Sequence, residues 1–181
     1  MSVILGVATN DVKGMSRSWQ YSIWTNMLQR CYSNTAVSNP SYSKCIVSDD
    51  FLILSKFVAW LDKVGKPPKG WCLDKDVLGD GTVYSEDTFC FIPPIINLVF
   101  KRHNAAYTGL PVGVSQQPGS GRFKASRCMY SKVVCLGTYG TPEEAHAAYL
   151  QATEEYIQEL AEEYKADLSD RVYSYLSNYK A

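Results

Sequence analysis

The chain has 181 residues, 46% apolar and 20% charged, enough to bury one large core or two small ones; neither a disordered chain nor a membrane protein fits that balance. Eighteen basic and eighteen acidic side chains cancel, so an affinity for nucleic acid has to come from a local patch. Such a patch exists in the sequence: residues 101–132 carry Lys101, Arg102, Arg122, Lys124, Arg127 and Lys132 without one Asp or Glu, and the stretch that follows from 142 to 170 is acidic.

The six cysteines, at 31, 45, 72, 90, 128 and 135, lack the close pairs of a zinc knuckle, so no structural zinc is expected and reduced, buried thiols are. The N-terminal "MSVILGVATND" has neither the basic start nor the apolar length of a secretory signal, which makes a cytoplasmic location the expectation.

In chain order, "SWQYSIWTNMLQRCYS" sets Trp19, Ile23, Trp24, Met27, Leu28 and Cys31 at helical spacing, with Ser18 as the cap. A polar stretch and the short apolar "CIV" lead to a second periodic run. It carries Phe51, Leu54, Phe57, Val58 and Leu61 on one side and ends at "GKPPKG". Aromatic residues this dense at helical spacing read as core.

Next, "WCLDKDVL" reads as a strand running into a "GDG" turn that holds Asp80. "TFCFIP" is its partner, and "PPIINLVFKRHN" is a helix with Pro where a first turn tolerates it. On one strand Asp74 and Asp76 would face the same side, suiting either a shared metal or a strand end salt-bridged to Lys75 or a neighbouring arginine. Asn97, on the helix, suits either a ligand position or a bond to the backbone of the preceding loop.

The second half offers three strands, "PVGVSQQ", "RFKASRCM" and "KVVCLGTY", then a helix from "TPEEA" with Thr141 as cap, Pro142 in the first turn and Glu143-Glu144 at the positive end of the helix dipole. Alternation turns Val112, Val114, Phe123, Ala125, Val134 and Leu136 toward that helix and leaves Ser115, Gln117, Lys124 and Ser126 outside. The acidic helix outruns a sheet of three strands. The terminal "LSDRVYSYLSNYKA", a further helix, could fold back on the N-terminal domain or build a homodimer.

Trp24, Met27-Leu28, Arg30-Cys31-Tyr32, Trp60-Leu61, Leu73-Asp74-Lys75-Asp76, Tyr84-Ser85, Thr88, Cys90-Phe91 and Asn97 together resemble the HNH-endonuclease-like proteins of bacteriophages. The stretch "GVSQQPGSGRFKASRCMYSKVVCLGTYGTPEEAHAAY" is similar to the plant ethylene-response-factor, or Apetala-two, DNA-binding domain. The resemblance covers roughly residues 20 to 155. It implies an α+β chain: helices and an HNH-like ββα unit over 1–105, an Apetala-two-like sheet on a helix over 106–165, and a C-terminal helix over 166–181.

By that resemblance Asp74 and Asn97 would hold one divalent ion, Mg2+ or Mn2+, with Lys75 standing where the family has its His base. A lysine with a pKa near 10.4 is a poor base at neutral pH, and Asp74 and Asp76 would stabilise its ammonium further. His103 is the other candidate base, or else an exposed His in a basic linker. The candidate catalytic set is thus Asp74, Lys75, Asp76, Asn97 and His103.

On the sheet, Ser115, Gln117 and Cys135 take positions where plant relatives present Arg, Arg and Trp. Gln116 or Gln117 would read adenine, Ser126 would share the face, and Arg122, Lys124, Arg127 and Lys132 would neutralise phosphates. Two functions are then expected. One is a homing-type, metal-dependent DNA endonuclease or nickase acting on double-stranded DNA in the cytoplasm of a bacterial host. The other is a phage factor on a frame that no longer cuts, binding DNA or a host protein in a regulatory or counter-defence role.

Overall fold

Residues 1–33, 42–100 and 109–181 are described by the structure, a computed structural model, and they divide between Pro94 and Ile95 into two units. Among the described residues five helices are mixed with small sheets, so the class is α+β.

In the first unit β1 (Ser2–Ile4) and β2 (Ala8–Asn10) form an antiparallel hairpin. Helix α1 (Trp19–Tyr32) starts where the Ser18 hydroxyl accepts the Tyr21 N–H at 3.1 Å, and it buries Trp24, Met27, Leu28 and Cys31. Helix α2 (Leu54–Val64) is shorter than the apolar pattern suggests, because Phe51 enters the core from the loop before it. It ends at Gly65, whose φ of 86° lies where glycine is favoured. Strands β3 (Ile46–Val47) and β5 (Val83–Tyr84) pair in parallel, and β4 (Cys72–Asp74) pairs antiparallel with β6 (Cys90–Ile92).

An aromatic cluster of Phe51, Phe57, Trp60 and Phe89 fills the centre. Trp60 and Phe89 meet edge to face at 4.6 Å between centroids, a favoured arrangement for rings. The Trp24 indole N–H, fully buried, donates to the Phe51 carbonyl at 2.7 Å, so no polar group is stranded there.

Helix α3 (Pro94–Phe100) opens with Pro at its first position and from Ile95 belongs to the second unit. The sequence suggests a boundary near residue 105. The division falls earlier because α3 packs with the chain's end: the Phe100 ring meets Tyr179 edge to face at 5.4 Å.

The second unit is built on β7 (Val114–Gln116), β8 (Phe123–Met129) and β9 (Lys132–Tyr139), an antiparallel sheet in that order, with α4 (Pro142–Glu163) across one face. Thr141 and Glu144 form a reciprocal capping box at the start of α4. Val114, Ala125 and Ala145 are the buried contact between sheet and helix, with Phe123, Leu136 and Tyr139 around them. Gly113 is required here: its φ is +80°, and a Cβ would sit 2.0 Å from the Tyr149 ring.

Val134, expected to face the helix, is 39% exposed. The register slips between Ala125 and Ser126, so one extra residue on β9 spoils simple alternation along that strand. Helix α5 (Asp170–Ser177) folds back on α4 within the same unit, burying Leu168, Val172 and Leu176. Among the described residues no helix is long and apolar enough to cross a membrane.

Candidate functional site

The acidic and basic cluster of the first unit is organised by Asp74. Its Oδ1 accepts the backbone N–H of Asp76 at 2.9 Å and of Val77 at 2.8 Å, which turns the chain at the end of β4. The strand therefore stops at Asp74 instead of running to Leu78. This overturns the expectation that Asp74 and Asp76 share one strand face: Asp74 is buried and Asp76 is exposed. Burial raises the Asp74 pKa, although the two N–H bonds work in the other direction.

Lys75 is 2% exposed. Its Nζ donates to Asp76 Oδ1 at 3.0 Å and lies 5.5 Å and 5.7 Å from the centroids of the Tyr42 and Tyr84 rings. Burial works against the ammonium, but the hydrogen bond and charge of Asp76 outweigh it, and the Lys75 pKa lies above the ordinary lysine value. Gly81 is part of the arrangement, because a Cβ there would stand 2.2 Å from the Asp76 carboxylate. Asp80 is a turn residue, its Oδ1 accepting from the Thr82 N–H at 2.9 Å.

The sequence reading misses the wall around Lys75. Arg30 on α1 donates to the Leu73 carbonyl at 3.2 Å and to the Tyr84 hydroxyl at 3.4 Å, and its guanidinium lies 6.0 Å from the Tyr42 ring centroid. Burial pushes the Tyr84 phenol well above its usual range, which keeps it neutral beside these cations. The available signal was the position of Arg30 beside Met27 and Cys31 on the inward face of α1.

For a divalent cation the fit is poor. One oxygen of Asp74 is committed to two backbone donors, and one oxygen of Asp76 is committed to the buried Lys75 ammonium. Among the described residues no three His, Cys, Asp or Glu side chains are grouped as an ion would need. Asn97 lies on α3, half-buried, in the second unit. His103, like Lys101 and Arg102, lies outside the described residues.

On the sheet of the second unit, Ser115 pairs with Lys124 and Ser126 with Cys135. These four occupy the face opposite the Val114–Ala125 pair, which α4 covers. Ser115, Cys135 and Lys132 are exposed, while Lys124 and Ser126 are half-buried. Gln117 closes the β7–β8 connection, its N–H donating to the Arg122 carbonyl at 2.8 Å. Gln116, exposed, pairs with Phe123 and so belongs to the opposite row. Arg122 reaches across to the Thr138 carbonyl at 3.0 Å.

Arg127 departs from its expected place among the phosphate-facing cations. It is 7% exposed, its Nη1 donates to Thr153 Oγ1 on α4, and its guanidinium lies 5.3 Å from the Tyr149 ring centroid and 5.6 Å from that of Tyr156. The alternation that sends Phe123 and Ala125 inward sends Arg127 inward too; its charge suggested otherwise. Cys31, Cys45 and Cys90 are buried as expected, whereas Cys128 and Cys135 are exposed on the sheet.

Comparison with known proteins returned no matching family model, no matching characterised protein and no matching solved structure.

Proposed function

We propose that the protein binds double-stranded DNA through the outer face of β7–β9, and that its strand-loop-strand-helix segment is an HNH-like frame that does not cut. The observation that carries the reading is the composition of the sheet. From Val114 to Tyr139 it holds no Asp or Glu, and it presents Ser115, Lys124 and Ser126 away from α4, with Arg122 at its turn. A sheet face of this kind suits the major groove, which is wide enough to admit a strand ribbon, with cations meeting phosphate and Ser or Gln meeting base edges. The order of three strands and a capped helix is what the likeness to the Apetala-two domain would require.

Loss of cutting is supported by Lys75, a charged, buried group held by Asp76 where the HNH pattern has a base, and by Asp74, spent on the turn that follows it. A base must release its proton near neutral pH, and the hydrogen bond and charge of Asp76 hold the Lys75 pKa above the ordinary lysine value.

The test is a mobility shift on duplex DNA over a range of salt, with supercoiled plasmid incubated in parallel with Mg2+ and with Mn2+. Binding should weaken as salt rises, and Arg122→Ala and Lys124→Ala should each lower the salt slope by about one while weakening binding to all sequences alike. The plasmid should stay supercoiled. No duplex binding at low salt would remove the DNA reading. Metal-dependent nicking that disappears in Asp74→Ala would instead establish the endonuclease.

A further inference from the structure

Between α3, the segment before β7 and the part of β8 that runs past β7, the second unit contains a cavity of about 480 Å³. That is the size of a small-molecule site. Ile95 and Val99 of α3 and Leu110 give it an apolar wall, while Leu98 and Tyr130, both partly exposed, stand at its rim. Arg127 lines it as well.

Arg127 is the anomaly in this wall. A guanidinium stays charged at any ordinary pH, and burying it without a counter-charge is costly. Among the described residues it has no ion-pair partner, no carboxylate lines the cavity, and its Nε is buried with no hydrogen-bond acceptor. What it has is a hydroxyl and two rings: Thr153 Oγ1, whose own proton goes to the Tyr149 carbonyl at 2.7 Å, and the faces of Tyr149 and Tyr156. Those contacts position the cation without neutralising it. Tyr149 is held in turn by the bare backbone of Gly113 and by the stacked His146 ring, 5.9 Å away and 11° from parallel.

We propose that this cavity binds a small organic acid, a monocarboxylate on an apolar body, with the carboxylate paired to Arg127 and the body against α3. One guanidinium matches one negative charge; a doubly charged phosphate would leave a charge uncompensated among apolar side chains. A guanidinium also pairs a carboxylate with two parallel hydrogen bonds, a geometry in which its unused Nε–H takes part. Arg127 enters the site from the helix side of the sheet, at the end of β8 where Ser126 and Cys128 also line the cavity.

The test is calorimetric titration of the full chain with octanoate, and with 1-octanol and octylamine as matched controls. Octanoate should bind saturably and raise the melting temperature, 1-octanol should bind weaker by about tenfold or more because it lacks the charge-assisted pair, and octylamine should not bind. Arg127→Met should reduce octanoate to the affinity of 1-octanol. Val99→Phe, which fills the cavity and leaves Arg127 alone, should weaken octanoate and 1-octanol together and carries the test if circular dichroism shows Arg127→Met unfolded. Equal affinity of the wild type for octanoate and 1-octanol, failure of all three to bind, or octanoate binding undiminished in Val99→Phe or in a folded Arg127→Met would overturn the proposal.

Discussion

At Lys75, burial and ion pairing oppose each other, and the size of each decides what a substitution does. Lys75→Ala removes the partner of Asp76 and leaves a gap between two tyrosine rings, so it should destabilise the first unit by about 2–4 kcal/mol, with Asp76, still in reach of water, softening the loss. Lys75→Met fills the same space with an apolar chain and should recover most of that, as a denaturant titration of the two variants would show. Cys31 gives a pH dependence. Burial pushes its folded thiol up to about 12 from an ordinary 9.0, so its contribution to stability is complete below pH 9.0 and is lost as pH rises toward 12, because the unfolded chain ionises first. Cys31→Ala should remove that part of the alkaline slope, seen by comparing stability at about pH 8 and about pH 10.5 with wild type. Lys75 was legible in the sequence as a poor base; that it would be walled in by Arg30, Tyr42 and Tyr84 was not, since those residues come from three other segments.

Helices α1 and α4 were legible as elements because their signals are local. Ser18 and Thr141 sit immediately before periodic apolar residues, and each accepts the backbone N–H that a capping side chain accepts. Thr141→Ala breaks the capping box and should cost the second unit about 1 kcal/mol, read as a lower midpoint in the far-ultraviolet melt. Strand ends were less legible. β4 stops at Asp74 because the carboxylate takes N–H groups that a longer strand would have offered to a neighbour, and β9 departs from alternation because one residue bulges. Arg127 shows the same limit from the other side: period-two spacing placed it facing α4, and only the assumption that a cation belongs outside obscured it.

The described residues divide into two compact units, and the tryptophans report on one of them. Trp19, Trp24, Trp60 and Trp71 all lie before Pro94, so tryptophan fluorescence follows the first unit alone. Thr141→Ala should therefore shift the helix signal without moving the fluorescence midpoint; a joint shift of both would mean that the two units unfold as one. The segregation of charge along the chain, with an acid-free sheet and an acidic helix after it, was visible from composition, since it needs no knowledge of contacts.

The sequence by itself determined the class, the caps, the three-stranded order and the absence of acidic residues from the sheet, because propensity, alternation and composition act over a few neighbouring residues. Tertiary structure decided that α3 joins the second unit, that α5 folds onto α4, that Lys75 is buried beside Asp76 and that Arg127 faces a cavity. These depend on partners such as Tyr42 for Lys75 and Thr153 for Arg127, which folding brings together across long stretches of chain and which no local pattern of residues encodes.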